Sequence, residues 1–307
     1  MRHVLESQQF TREDLHALFK KADELRNKSE DLLNGKILAT LFYEPSTRTR
    51  LSFEAAMLRL GGKILTTENA KEFSSAIKGE SIKDTVKVIS SYADCIVIRH
   101  YEEGAAKEAA ESSLVPIING GDGKGQHPTQ ALLDIYTIYR EFGRVDNLKI
   151  AMVGDLANGR TVRSLSYLLG KFDGIEITFV SPDNLKMGDD IKEYLERHNV
   201  MFHEEDDLNK VISEVDVIYV TRIQKERMSR EEYDKANGKY VINQSNFHLI
   251  KPNARLMHPL PHVEEISLSH EIEESDKRVA YFRQSENGLY IRMALLNLLM
   301  NGKDHTD

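Results

Sequence analysis

Residues 36–50 read Lys36-Ile37-Leu38-Ala39-Thr40-Leu41-Phe42-Tyr43-Glu44-Pro45-Ser46-Thr47-Arg48-Thr49-Arg50. A continuous apolar run over 36–43 hands over to a cluster of hydroxyl and guanidinium side chains, and a helical period follows over 48–60. The run does not alternate apolar with polar, which suits a strand covered by helices on both faces, as in a parallel sheet.

The same alternation continues outward from that stretch. Strands are predicted over 63–67, 95–98, 115–118, 149–153, 176–180, 200–203, 215–220 and 240–243. Helical periods fill 11–27, 81–93, 128–142, 160–171, 189–198 and 286–300. The first opens on a Thr11-x-x-Asp14 capping box, and the 48–60 helix stops at Gly61-Gly62. A β-α-β-α order reads as parallel α/β architecture. With 307 residues there is material for about two domains of roughly 150 residues. The best internal boundary is Gly143-Arg144-Val145-Asp146-Asn147, which ends a long helix and precedes a new strand.

Composition narrows the function classes. Basic residues number 41 and acidic ones 49, a formal net charge of −8. An acidic whole argues against non-specific nucleic-acid binding. No apolar run approaches the length of a membrane span, and the first residues lack a signal-peptide core, so a cytoplasmic, membrane-free chain is the expectation. The single cysteine, Cys95, sits in an apolar run and reads as a small buried hydrophobe.

Five clusters carry candidate chemistry. Ser46-Thr47-Arg48-Thr49-Arg50 stands where a strand meets a helix N-terminus, so hydroxyls, free amides and the positive dipole end coincide with two arginines. One hydroxyl would serve as an N-cap; four consecutive donors exceed what capping needs and point to a phosphate cradle. Gly120-Gly121-Asp122-Gly123-Lys124-Gly125 reads as a glycine loop leading to His127-Pro128-Thr129-Gln130. There His127 could polarise a carbonyl and Gln130 could bond a small polar substrate. Gly154-Asp155-Leu156-Ala157-Asn158-Gly159-Arg160-Thr161 differs from a P-loop in having Arg160 where the lysine belongs, which counts against an NTPase and suits a carboxylate fork. Val220-Thr221-Arg222-Ile223-Gln224-Lys225-Glu226-Arg227 again follows a strand and is rich in fork donors. In His258-Pro259-Leu260-Pro261-His262 the prolines forbid the helix that would make the two histidines a metal pair, so a stiff loop aiming its carbonyls at a ligand is the better reading.

Taken together these residues resemble the aspartate/ornithine carbamoyltransferase family over essentially the whole chain. Ser46-Thr47-Arg48-Thr49-Arg50 is similar to the family's carbamoyl-phosphate motif, and His127-Pro128-Thr129-Gln130 with Asp134 to its second motif. Thr221-Arg222-Ile223-Gln224-Lys225-Glu226-Arg227 and His258-Pro259-Leu260-Pro261 resemble the aspartate branch; the ornithine branch typically has cysteine where Pro259 stands. His262 departs from the family's usual arginine, a change expected to alter loop packing or ion pairing.

The resemblance implies two doubly wound parallel-sheet domains with the active site in the cleft between them. A carbamoyl-phosphate domain would span 1–143, with the C-terminal helix of about 286–302 packing back on it, and an aspartate domain 144–285. The implied reaction moves a carbamoyl group from carbamoyl phosphate to the α-amine of L-aspartate, an early step of pyrimidine synthesis, with no cofactor and no metal. Ser46, Thr47, Arg48, Thr49 and Arg99 would hold the phosphate, and Thr49, Arg99 and His127 would meet the carbonyl oxygen. Gln130 and the main-chain oxygens of Pro259 and Leu260 would orient the carbamoyl NH2. Arg160 would grip the α-carboxylate; Arg222, with Gln224 beside it, would grip the β-carboxylate. Ser74 and Lys78 would reach a neighbouring subunit's site, which implies a homotrimer with shared active sites; separate regulatory chains are a further allowed partner. Glu44, Arg160 and Arg227 resemble charges that link the domains on closure. An ornithine-using enzyme would want an acidic pocket where Arg222, Gln224 and Lys225 stand. A non-catalytic homologue would have lost one of Arg48, Thr49, Arg99, His127 or Arg222, and all five are present.

Overall fold

The computed structural model describes residues 2–27, 31–68, 70, 79–223 and 239–301. Two compact units emerge, Met1–Leu133 with Asn287–Asp307, and Asp134–Glu286. The first opens with helix α1 (Arg12–Asn27), where Thr11 and Asp14 bond each other's main-chain amides at 3.1 and 2.9 Å as the capping box requires. Its strands are β1 (Ile37–Phe42), β2 (Lys63–Glu68), β3 (Cys95–His100) and β4 (Ile117–Asp122), all parallel in the order β2-β1-β3-β4. Helices α2 (Thr47–Arg59), α3 (Ile82–Ile89) and α4 (Ala105–Ser112) connect them.

Why α2 packs is visible in its spacing. Thr49, Phe53, Ala56 and Met57 are buried, one stripe at helical period. Strand β3 is buried at every position, its apolar run Cys95-Ile96-Val97-Ile98 and the Arg99 and His100 that end it alike, and Cys95 is fully buried with its thiol pKa pushed up by that burial. Sequence pattern ends the fourth strand at residue 118, whereas β4 runs on through Asn119-Gly120-Gly121-Asp122. The extension is held from outside: Asn119 N–H donates to Val4 O at 2.8 Å and its side chain to Leu5 O at 2.9 Å. Only the remainder of the glycine segment is a loop.

The second unit holds β5 (Lys149–Val153), β6 (Glu176–Val180), β7 (Met201–Glu205), β8 (Val217–Val220) and β10 (Arg255–Met257) in the order β10-β8-β5-β6-β7, again all parallel. Between them lie α6 (Arg160–Leu169) and α7 (Asp189–Arg197). The stretch 240–243 does not join this sheet. Its β9 (Ile242–Asn243) pairs with β11 (Ile266–Ser267) as a separate two-stranded ladder, and the three-residue β10, too short for an alternation signal, takes the sheet edge. Two short helices, α8 (Gln244–Phe247) and α9 (His270–Ser275), complete the unit.

Helices α5 (Pro128–Phe142) and α10 (Tyr281–Asn301) each run through the boundary between the units. The last helix therefore starts earlier than residue 286 and continues through Asn287-Gly288. A Cβ at Gly288 would meet Arg292 Nη1 at 2.5 Å and Leu133 Cδ2 at 3.1 Å, so close packing explains a glycine inside a helix. Among the described residues no helix is long and apolar enough to cross a membrane.

Candidate active site

In the first unit, Ser46 occupies the N-cap position of α2 in extended conformation, yet its side chain makes no capping bond. Arg50 N–H is bonded to Ser46 O at 3.1 Å, so the amides of Thr47, Arg48 and Thr49 precede the first helical bond. Orphan amides, uncommitted hydroxyl and positive dipole end meet here, and capping alone does not account for the sequence. Thr47 and Arg48 are exposed and Thr49 is buried.

Arg50 turns out to belong elsewhere. Its guanidinium lies 2.8 Å from Glu68 and 3.4 Å from Glu54, and Glu54 also accepts from Thr40 at 3.0 Å and Thr66 at 2.6 Å. That network ties α2 to β1 and β2, so of the two arginines read as a cradle only Arg48 stays with the helix mouth. Nothing in the local sequence separates them; Glu54 follows Arg50 by one helical turn, but the pairing with Glu68 is tertiary.

His127 lies just before α5 and is 4% exposed. Its Nε2 is 3.5 Å from Thr49 Oγ1 and its Nδ1 is 3.4 Å from Thr129 Oγ1. The structure thus brings Thr49 of the first motif against His127 of the second. The preceding residue fixes the approach: Gln126 N–H donates to Asp122 at 3.0 Å, and its side chain accepts from Ser7 N–H at 2.8 Å and donates to Gln8 at 2.6 Å. Asp122 also accepts from Gly104 N–H at 2.9 Å and Asn119 at 3.1 Å. The glycine-rich segment is therefore braced by Asp122, Asn119 and Gln126, a bracing that motif reading missed. Gln130 is buried on the first turn of α5.

Arg99, 8% exposed near the carboxyl end of β3, donates to Gly120 O at 3.2 Å and pairs with Glu44 at 2.9 Å. Ser74 and Lys78 fall outside the described residues.

In the second unit the candidates sit on three separate loops. Arg160 is the first residue of α6, behind a turn in which Asn158 N–H donates to Asp155 at 3.0 Å. Gly154, at φ +116°, permits that loop: a Cβ there would stand 2.2 Å from Thr221 O. Thr221 is locked to β5 by main-chain and hydroxyl bonds to Val153 O at 2.8 and 3.0 Å, and the exposed Arg222 follows it. Gln224 and Arg227 fall outside the described residues. After β10, Leu260 takes φ +51°, and its N–H donates to His258 Nδ1 at 2.8 Å. His262 lies 3.1 Å from Glu273 and meets Tyr281 edge-on at 5.1 Å between ring centres, so it packs the loop against both.

Behind these loops lies a buried polar chain. Asp134 of α5 is fully buried and accepts from Tyr219 OH at 2.7 Å and Gln284 Nε2 at 2.6 Å. Burial, with the Asp134 carboxylate beside it, holds the Tyr219 hydroxyl far above its ordinary pKa, so it is a permanent donor. Asp134 was legible as part of the second motif; Tyr219 and Gln284 gave no signal, since their roles depend on partners 85 and 150 residues away.

Comparison with known proteins places these features in context. Residues 2–140 match the family model described as the aspartate/ornithine carbamoyltransferase carbamoyl-P binding domain, and residues 146–299 the model for the Asp/Orn binding domain. A chloroplastic aspartate carbamoyltransferase of Pisum sativum is 55% identical, over 97% of this chain and 78% of the relative. The aspartate carbamoyltransferase catalytic subunit of Methanocaldococcus jannaschii is 48% identical over 99% of both chains. A crystal structure of the M. jannaschii catalytic subunit superposes with a TM-score of 0.91 at 47% identity, covering 99% of this chain and all of that one. The Trypanosoma cruzi enzyme in complex with carbamoyl phosphate gives 0.92 at 39% identity, covering 97% and 96% of the two chains.

Proposed function

The chain belongs to the aspartate/ornithine carbamoyltransferase family, and from that premise we infer that it transfers the carbamoyl group of carbamoyl phosphate to the α-amine of L-aspartate. The products are N-carbamoyl-L-aspartate and phosphate, a step of de novo pyrimidine biosynthesis. One observation carries the choice of substrate: aspartate carbamoyltransferases match at 48–55% identity over nearly the whole chain. Relatives solved with carbamoyl phosphate, and with carbamoyl aspartate and phosphate, support both ends of the reaction.

The chemistry asks for positioning and charge stabilisation. The neutral amine attacks the carbonyl carbon, a C–N bond forms, and negative charge builds on the carbonyl oxygen. Collapse of the tetrahedral intermediate breaks the bond to the phosphate oxygen, and the departing phosphate takes the proton from the amine. Ser46, Thr47, Arg48, Thr49 and Arg99 hold the phosphate in this reading, supported by the uncapped mouth of α2. Thr49, Arg99 and His127 meet the oxyanion. With the imidazole proton on Nε2, the nitrogen beside Thr49, the ring offers its donor where one is needed and Nδ1 can accept from the Thr129 hydroxyl. Gln130 and the Pro259 and Leu260 carbonyls orient the carbamoyl NH2, Arg160 takes the α-carboxylate, and Arg222 with Gln224 the β-carboxylate.

Phosphate release from carbamoyl phosphate is measured with each amino acid in turn. Aspartate should be the productive acceptor, and ornithine turning over in its place would move the chain to the other branch. A homotrimer whose sites borrow Ser74 and Lys78 from the neighbour, in the cytoplasm, belongs to the same proposal. Chains carrying Lys78→Ala and Arg48→Ala should each be nearly inactive yet recover activity when reassociated as hybrids, and hybrids as inactive as their parents would remove the sharing. Sedimentation of the native chain and cell fractionation check the assembly and the location.

A further inference from the structure

The 258–261 turn offers main-chain carbonyls rather than side chains, so its chemistry depends on whatever fixes the backbone. Leu260 sits at φ +51°, a left-handed conformation that a side-chain-bearing residue adopts only under constraint. Three contacts meet on His258, which is 2% exposed. Its main-chain N–H donates to Gln284 Oε1 at 2.9 Å. Ring Nδ1 accepts the Leu260 N–H at 2.8 Å, and ring Nε2 lies 2.8 Å from Glu265 Oε1. A ring nitrogen accepts only while it carries no proton, so the Leu260 bond requires a bare Nδ1, which leaves the proton on Nε2, the nitrogen beside the Glu265 carboxylate. Glu265, itself buried, is fixed by Val263 N–H at 3.3 Å, and Gln284 is fixed by Asp134. The imidazole is thus oriented from both edges and its backbone from behind.

We propose that His258 is a positioning residue for the transferred group: its bare Nδ1 tethers Leu260 in the left-handed conformation and so aims the Pro259 and Leu260 carbonyls at the carbamoyl NH2. The inference rests on the carbamoyl-transfer reading above. The Leu260 N–H sets the tautomer, and the Asp134–Gln284 pair sets where His258 stands.

Two substitutions in the full-length chain separate the ring's two edges. In His258→Asn the amide oxygen can replace Nδ1 as acceptor for Leu260, while the Glu265 contact is lost. In His258→Gln the longer amide can reach Glu265, while Leu260 loses its acceptor. A misplacement of about 1 Å costs about a hundredfold in rate. His258→Gln should therefore lose about 10²-fold in kcat, and His258→Asn should stay within about tenfold of the native chain. Both should bind inorganic phosphate with the native Kd, because the first unit holds it. Equal activity of the two variants, in either direction, overturns the tether. Should both variants unfold, selective ¹⁵N-histidine spectra of the native chain decide: a neutral His258 ring protonated at Nε2 is expected, and one protonated at Nδ1 overturns the inference. A native chain that releases no phosphate with aspartate would instead remove the carbamoyl-transfer reading, a failure visible before any variant is made.

Discussion

The mouth of α2, proposed to hold the phosphate, and the 258–261 turn, proposed to orient the carbamoyl NH2, are built on opposite principles. The first presents side chains and orphan amides from four consecutive residues, Ser46 to Thr49, on a helix end that needs no external support to carry its dipole. The second presents two carbonyls on a strained turn, held by His258, Glu265, Gln284, Asp134 and Tyr219, residues scattered over about half of the chain. A site of the first kind tolerates change behind it, because its donors are covalently grouped. A site of the second kind is only as good as the buried polar chain that aims it, since a partly satisfied network is worse than an apolar one.

Four substitutions and one companion variant test that contrast, the four taken from the largest effect down. Arg222→Ala removes a fork donor that nothing else in the described loop replaces. It should lower kcat/KM for aspartate by about 10³-fold while carbamoyl-phosphate affinity holds. Unchanged aspartate kinetics would take Arg222 out of the site. His127→Ala should lower kcat by about 10²-fold with carbamoyl phosphate still bound, as expected for a donor that acts on the developing oxyanion. A normal kcat in the folded variant would make His127 a mere loop brace beside Gln126.

Asp134→Asn turns one of two acceptor oxygens into a donor facing a donor. It should lower stability towards urea by about 2 kcal/mol and reduce turnover more than phosphate binding. Equal losses in both would blur the distinction between the two halves. The smallest effect is expected at Arg50→Gln: about 1 kcal/mol of stability or less, and phosphate affinity as in the native chain, because Arg50 is tied to Glu54 and Glu68. The companion Arg48→Gln should weaken carbamoyl-phosphate binding. If the two variants weakened it equally, the cradle would contain both arginines after all.

The amino-acid sequence by itself determined the parallel α/β class, the strand-to-helix handovers and the grouping of Ser46, Thr47, Arg48 and Thr49, along with His127 and Gln130. These are local properties: an apolar run buried on both faces, a helical stripe of Thr49, Phe53, Ala56 and Met57, donors crowded at one helix start. The division of labour between Arg48 and Arg50, the extension of β4 to Asp122, the edge strand Arg255–Met257 and the tether on Leu260 were decided only by tertiary structure. The first three depend on a partner far away in the chain, Glu68, Val4 or Val217, and the tether, itself a bond between near neighbours, on the distant Gln284 that holds the His258 backbone. A hydrogen bond or a β-pairing is specified by distance and angle in space, and residue spacing along the chain carries no record of which distant acceptor will be within 3 Å.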